Sequence, residues 1–593
     1  MLTRRLFPLY LFTGVGLIAF FYFFESRDAE STPIFLGAGQ FNRPPAKDGQ
    51  FQWSTRPEKH PVSSLIPFPT GYPAKISSIQ HKFTPESGAA ADERIKRRQS
   101  VKETFIRAWN GYREHAWLKD ELTPISGSSR SHFGGWAATL VDSLDTLWIM
   151  DLKTEFEEAV ESVRDIDFTT TEEDQINTFE TTIRYLGGLL AAFDLSDGKY
   201  PVLLEKALEL GDMLYAAFDT PNRMPITRWY WKTGMSGDTQ KPDDGVLAAE
   251  IGSLSLEFTR LSQLTGDAKF FDAIQRISDR FEQAQLKTKL PGMWPVVVNP
   301  QAADLGTDTG FTLGAMADSL YEYLPKQYML LGGLSQQYRN LYEIAIDTAK
   351  KNLLFRPMTP NEDDILISGN VRVVSPTEVQ LDPQGQHLAC FVGGMMAIGS
   401  RIFDRPDDLP IARKLVDGCI WAYQSMPSGI MPESFHVVPC EDATSCKWDE
   451  KKWHAGIESR HDDFKVGEAA SMAEQIKNLG LFPGFTDIAD RRYILRPETI
   501  ESIFILYRIT GDESLRDTAW EIFQSITEYT HTAFGNAALS DVTHLPPQQS
   551  DSMESFWTAE TLKYFYLIFS DTSLIDLDHF VFNTEAHPFK RPR

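Results

Sequence analysis

Carboxylates set among aromatic and apolar side chains recur along this 593-residue chain, and their surroundings suit acid–base chemistry better than a solvated surface. Glu180 and Arg184 stand at i and i+4 in Phe179-Glu180-Thr181-Thr182-Ile183-Arg184, followed by Tyr185-Leu186-Gly187-Gly188. An exposed pair at that spacing contributes only about 0.2–0.5 kcal/mol, but the flanking Phe, Ile, Leu and Gly-Gly point to a buried cleft wall. Asp318 lies in a small, apolar turn, Gly314-Ala315-Met316-Ala317-Asp318, where a lone carboxylate is costly unless paired or functional. In Leu495-Arg496-Pro497-Glu498 the proline suits a helix start and Glu498 sits at the positive end of the dipole, which keeps it ionised as a base requires. Glu501 shares its face. Glu433 falls on a loop after Met431-Pro432, and Glu554 and Glu560 lie amid Phe556, Trp557 and Tyr564. Near the end, Val581-Phe582-Asn583-Thr584-Glu585-Ala586-His587-Pro588 offers a Thr hydroxyl, a carbonyl and a carboxylate, the hard oxygen ligands that Ca²⁺ prefers. No Ser-His-Asp order and no Cys/His metal spacing competes. Carboxylates among aromatics fit carbohydrate chemistry: hydroxyls need charged acceptors, sugar faces need aromatic platforms, and hydrolysis needs an acid and a base.

These residues need a scaffold, and helical periods supply it from Asp92 onward. Candidate helices cover about 92–115, 141–164, 173–194, 201–217, 246–264, 267–284, 309–325, 335–355, 386–404, 408–425, 466–478, 497–510, 513–533 and 552–569. Three joints look alike, around Asp197-Gly198, Gly266-Asp267 and Gly511-Asp512, each with a Gly suited to a left-handed C-cap before the next helix. Recurrent helix-turn-helix units predict a toroid of helical hairpins, although a plain α-solenoid would share them.

At 42% hydrophobic the chain can bury a large core, and a formal net charge of -24 argues against nucleic acid as a partner. Residues 6–24 are uncharged and long enough to span a bilayer. Arg4 and Arg5 before them predict a type II anchor with residues 1–5 cytoplasmic and everything after Phe24 lumenal. Residues 25–91, rich in Pro, Gly and Ser, read as a flexible stem. Four cysteines, Cys390, Cys419, Cys440 and Cys446, fit disulfides in an oxidising lumen, with three connectivities open. No Asn-x-Ser/Thr sequon occurs, so N-glycosylation of the chain itself is not expected.

Taken together, Val141–Ile149, Phe179–Leu189, Ala317–Tyr323, His387–Phe391, Leu495–Ser502, Ala559–Tyr564 and Val581–Pro588 resemble, in family order, the class I α-1,2-mannosidase family of glycoside hydrolases. The resemblance implies an all-α fold: an (α/α)₇ toroidal barrel over 92–593, closed by a C-terminal β-hairpin and preceded by the transmembrane helix. It implies an inverting hydrolase that trims terminal α-1,2-linked mannose from high-mannose N-glycans. Glu180 matches the favoured acid, Glu498 the base and Asp318 the third catalytic carboxylate; Glu433 matches a further candidate donor. An inverting pair stands roughly 6.5–9.5 Å apart to admit a water. Arg184, one turn from Glu180, is in tension with an acid role, which a water relay or strong burial would relieve. Thr584 and Glu585 match the Ca²⁺ end of the family, with Glu501 and Glu560 anchoring its waters and the terminal mannose; Arg184, His387 and Arg496 match substrate-binding positions.

Cys390 and Cys419 match the family disulfide, while Cys440 and Cys446 fall in or beside an insertion at about 441–491 and are expected to pair with each other. Met316 occupies the place where ER-type members carry an arginine that grips one glycan branch. An apolar side chain cannot hold several hydroxyls as a guanidinium does, so broader trimming from Man₉ toward Man₅ is expected. Golgi or ER residence stays open. The rival readings are a degradation-enhancing, lectin-like relative and a purely structural toroid.

Overall fold

In the computed structural model, residues 49–442, 444–461 and 471–592 are described. The expected anchor, its cytoplasmic tail and the stem as far as residue 48 lie outside the described residues. Among those described, no helix is long and apolar enough to cross a membrane.

Two kinds of helix alternate, and burial separates them. Gln336–Asn352 buries Tyr338, Leu341, Tyr342, Ala345, Ile346 and Ala349, one stripe at i, i+3, i+4 and i+7, so it has a wet outer face. Asp318–Leu330 buries every residue after Asp318, and Phe391–Ile402 buries all but Arg401, so these are walled in on all sides. The walled-in helices, 138–149, 178–195, 248–265, Asp318–Leu330, Phe391–Ile402, Glu498–Thr510 and 557–568, pack side by side, and the last meets the first to close a ring. Each has an outer partner: Lys153–Val163, Pro201–Ala216, Ala268–Gln285, Gln336–Asn352, Asp408–Gln424, Ser514–Thr530 and, for the last, Gly88–His115. The described residues thus form a helical barrel of paired helices.

Inner-to-outer joints are short. Gly198, Gly266 and Gly511 take left-handed φ values of 71°, 76° and 73° there, as the sequence predicted. Outer-to-inner connections are long and carry short strands, so the N-termini of the inner helices open at the end of the barrel that the long loops build. Two three-stranded antiparallel sheets stand on that rim. Gln384–Gln386, Ser434–Val437 and Phe485–Asp490 form one, and Gly310–Phe311, Asn370–Ser375 and Glu378–Asp382 the other. From the opposite end a hairpin of Phe580–Phe582 and Pro588–Lys590 enters the ring, with Phe582 packed against Phe504 and Tyr564. Cys390 is bonded to Cys419, tying an inner helix to its outer partner across a Cα separation of 6.1 Å, and Cys440 is bonded to Cys446.

Three expectations change. The stem does not reach residue 91, because residues 49–87 lie along the barrel as a belt and the first α-helix begins at Gly88. The belt forms no long helix, since it lacks an apolar period, but its extended backbone finds partners on the barrel. Asp219 accepts from the N–H groups of Lys59 and His60 at 2.9 and 2.8 Å, Asp272 from Ile66 at 2.7 Å and Asp578 from Ile79 at 2.7 Å. Further along, the N–H groups of Ala74 and His81 donate to Gly332 and Arg508 carbonyls. Trp53, Phe68 and Ile79 are buried along it. Second, the insertion is not wholly an appendage: Glu450–Arg460 lies outside the ring, but Phe485–Asp490 completes a rim sheet beside Glu433. Third, the helix expected at 141–164 breaks into separate pieces at Ser143 and around Asp151, where φ is 54°.

A chain that begins at residue 92 forfeits the burial of three large apolar side chains, each worth about 1.5–3 kcal/mol. Thermal unfolding of chains starting at 49 and at 92 checks this; the shorter one is expected to melt several degrees lower, and equal melting temperatures would show that the belt adheres without stabilising.

Candidate active site

The starts of the inner helices bring the predicted carboxylates together. Asp318 and Glu498 are each the first residue of their helix, where the dipole favours negative charge. Just before them Met316 and Leu495 take left-handed φ values of 77° and 71°, a conformation that costs a residue with a Cβ about 1–3 kcal/mol. Neighbouring inner helices hold both in place: Ala249 N–H donates to Met316 O at 3.1 Å, and Thr561 Oγ1 to Leu495 O at 2.6 Å. Glu180 follows Asn177, whose Oδ1 caps the N–H groups of Phe179 and Glu180. The helix then widens into a π turn, Thr181–Leu186, carrying Arg184, and a second π turn, Trp557–Thr561, carries Glu560. Such turns re-aim side chains and cluster at functional sites.

Two ion-paired groups line the mouth. In one, Arg184 Nε donates to Glu180 Oε2 at 2.9 Å, while its Nη1 donates to Ser555 Oγ at 3.0 Å and to Glu585. In the other, Arg496 Nε donates to Glu433 Oε2 at 2.5 Å, and its Nη1 lies 3.5 Å from Glu498 Oε1. His387 Nδ1 lies 2.8 Å from Glu498 Oε2 and its Nε2 2.8 Å from the Tyr423 hydroxyl. A carboxylate only accepts, so the network assigns the ring proton to Nδ1 and lets Nε2 take the phenol O–H. Phe556 lies under both guanidinium groups, 5.8 Å from Arg184 and 6.0 Å from Arg496, and so offers an apolar platform between them.

The electrostatics separate the carboxylates. Burial alone would raise the pKa of Glu498, but His387 and Arg496 outweigh it and hold the group below the usual carboxylate range. Asp318 goes the other way. Burial, opposed by the Ser319 N–H and reinforced by the charges of Glu322 and Glu498, pushes it up to about 7. Pairs of acids driven apart in this manner are how one site holds both a proton donor and a base at neutral pH.

Below them lies a floor of buried acids. Glu501 is pushed up to about 8, chiefly by burial, with Lys326 opposing and Glu322 and Glu498 adding. Glu560 and Glu585 rise well above their ordinary value, first through burial and then through neighbouring carboxylates, with Arg184 opposing at Glu585. Lys326 bonds to Glu322 and lies 3.6 Å from Glu501. Thr584 sits on the tip of the hairpin among these acids and donates its N–H to the Tyr323 hydroxyl at 3.3 Å. Among the described residues its own hydroxyl and carbonyl oxygens take no protein hydrogen-bond partner. Crowded carboxylates around two uncommitted oxygens fit a hard divalent cation.

The predicted catalytic and floor residues therefore converge, whereas Met316 lies on the rim and is 54% exposed. Sequence reasoning missed Glu322 and Lys326, although Asp318, Glu322 and Lys326 repeat at i+4 along one helix face. It named Phe556 only as one aromatic among several, and it missed a cavity of about 720 Å³ beside the mouth lined by Arg228, Tyr230, Asp243 and Glu250. One further grouping has metal-ligand types: Glu121, His132 and Glu554 offer ligand atoms within 4.8 Å of one another. Arg130 already bridges it, at 2.5 Å from Glu121 and 3.1 Å from Glu554.

Comparison with known proteins agrees with this geometry. The model of glycosyl hydrolase family 47 matches residues 104–591. The endoplasmic reticulum mannosyl-oligosaccharide 1,2-alpha-mannosidase of Rattus norvegicus is 37% identical over 500 residues, covering 83% of this chain and 68% of that protein. The Arabidopsis thaliana mannosyl-oligosaccharide 1,2-alpha-mannosidase MNS3 is 36% identical over 529 residues, covering 83% and 78%. The solved alpha-1,2-mannosidase from Trichoderma reesei superposes with a TM-score of 0.72 at 31% identity, over 84% of this chain and 99% of that one. With its ring of paired helices, its acids at the inner helix starts and a family model that spans both, this chain belongs to glycosyl hydrolase family 47.

Proposed function

We propose that the protein hydrolyses terminal α-1,2-linked mannose from high-mannose N-glycans, with inversion, in the secretory pathway. The observation that carries the reading is the opposed setting of two acids at one mouth, with Glu498 held ionised and Asp318 holding a proton near neutrality. Glu498 takes a proton from a water, which attacks the anomeric carbon as the glycosidic C–O bond breaks. The leaving oxygen receives its proton from Glu180 or Asp318, and the sugar leaves as β-mannose. Glu433 orients Arg496, and Arg184, His387 and Arg496 hold the acids and the sugar. Phe556 offers the sugar its apolar platform.

Thr584, with Glu585, Glu501 and Glu560 around it, is the proposed seat of Ca²⁺. When bound, the ion would offset the buried negative charge and hold hydroxyls of the terminal mannose. The exposed Met316 supports trimming past one mannose toward Man₅, and the cavity beside Tyr230 has room for glycan branches. Residues 1–5, 6–24 and 25–48 are proposed as cytoplasmic tail, type II anchor and stem, in Golgi or ER membrane.

Two measurements test this. With residues 49–593 and Man₉GlcNAc₂, proton NMR is expected to register β-mannose first and Man₅ last, and a chelator to stop release; first release of α-mannose would overturn the inversion, and no release from folded protein that still binds glycan would overturn the hydrolase. In kcat/KM against pH, the ionised base is lost as pH falls below the usual carboxylate range and the protonated acid is lost as pH rises through about 7. A bell is therefore expected, and Asp318→Asn is expected to flatten its alkaline limb and to cost about 10²-fold or more in rate. An unchanged alkaline limb would leave the proton to Glu180 or Glu433.

A further inference from the structure

The hairpin tip between Phe582 and Pro588 bends through Ala586, which has a left-handed φ of 58°. A residue with a Cβ stays in that conformation only where its surroundings over-determine it. Here they do so through a group of fully buried charges that the catalytic steps leave unused. His587, Asp142, Asp145 and Lys563 are each 0% exposed at the side chain. His587 Nε2 lies 3.0 Å from Asp142 Oδ1, and its Nδ1 2.9 Å from Asp145 Oδ2. Both partners are carboxylates, so both ring nitrogens donate. Lys563 Nζ donates to Asp145 Oδ2 at 2.8 Å and to the Ala586 carbonyl at 2.7 Å, gripping the backbone between Glu585 and His587.

The inner helix opposite leaves room for this ring. A Cβ on Gly187 would stand 2.7 Å from His587 Cδ2 and 2.8 Å from Asn583 Nδ2, and one on Gly188 2.5 Å from the Val141 carbonyl, so only glycine admits the contact. Asn583 adds a second hold, donating Nδ2 to Ile183 O at 3.0 Å and to Glu257 Oε1 at 2.8 Å. The other oxygen of Asp142 accepts from Ser555 Oγ at 2.5 Å and lies 3.6 Å from Arg184 Nη1. Arg184 in turn holds Glu180 and Glu585. One imidazole thus touches, at a single remove, both the tip that carries Thr584 and the arginine that carries Glu180. Buried ionic clusters are a weak source of stability, often replaceable by apolar groups of equal volume. What this one supplies is direction.

We infer that His587 is a positioning residue: through Asp142, Asp145 and Lys563 it fixes the Thr584–Glu585 tip for calcium and Arg184 for the acid, so that calcium affinity depends on it. The inference rests on the reading of Thr584 and Glu585 as the calcium end of the site. The test is calorimetric titration of calcium into metal-stripped protein spanning 49–593, with circular dichroism confirming the fold. His587→Gln keeps the volume but donates from one atom only, and is expected to bind calcium at least tenfold more weakly. Asp145→Asn keeps the acceptor oxygen and serves should the first variant not fold, with a loss in the same direction. Lys590→Ala, at the base of the hairpin where the Lys590 ammonium pairs with the exposed Asp197, is expected to keep wild-type affinity. A folded His587→Gln or Asp145→Asn that binds calcium as the wild type does would overturn the positioning role, as would equal weakening in Lys590→Ala. Wild-type protein that takes up no calcium would instead overturn the metal reading beneath it.

Discussion

Too much negative charge in too small a space is the constraint that organises the interior. Glu322, Glu498, Glu501, Glu560 and Glu585 face the centre of the ring, and Lys326, Arg184 and Arg496 do not balance them. A buried carboxylate crowded by others is costly enough that it holds its proton instead, and the upward shifts of Glu501, Glu560 and Glu585 are that response. At Glu498 a histidine and an arginine reverse it. The ring of buried helices, the strained turns before Asp318 and Glu498 and the hairpin driven up the axis all hold like charges closer together than they would otherwise stay. A site of this kind suits something positive, such as the proposed divalent ion below and the charge that would develop on a sugar ring above.

Much of this was legible in the sequence because the relevant signals are local. Outer helices announce themselves by an apolar stripe, as in Tyr338, Leu341, Tyr342 and Ala345, and the turns at Gly198, Gly266 and Gly511 by a residue that tolerates positive φ. Acids within apolar runs, such as Asp318 and Glu498, declare themselves because burial needs a reason. The features that escaped are those whose cause lies far along the chain. Nothing near Met316 or Leu495 dictates a left-handed backbone; the Ala249 N–H and Thr561 hydroxyl do, from other helices. The π turn at Thr181–Leu186 has no composition of its own, and its Ile183 carbonyl is taken by Asn583, 400 residues on.

The belt escaped for a related reason. A stretch rich in Pro, Gly and Ser reads as unstructured because it cannot build a core, yet residues 49–87 use one built elsewhere. Their peptide N–H groups meet carboxylates of Asp219, Asp272 and Asp578 that the barrel presents. In the insertion the same logic holds in miniature, where Phe485–Asp490 reads as loop until Ser434–Val437 offers it an edge.

The position of the hairpin also sets when the site can exist. Arg184 and Glu585 are separated by 401 positions, and they meet only after the strand Pro588–Lys590 has closed on Phe580–Phe582. A nascent chain has the residues for most of the ring while still on the ribosome, but its floor remains open until the hairpin residues emerge. Contacts of such long range are slow to form, because the entropy of closing the loop is spent before any of them is made. Function in this molecule is therefore a late event in its own biosynthesis, and truncation shortly before residue 580 would leave a nearly whole barrel with no centre.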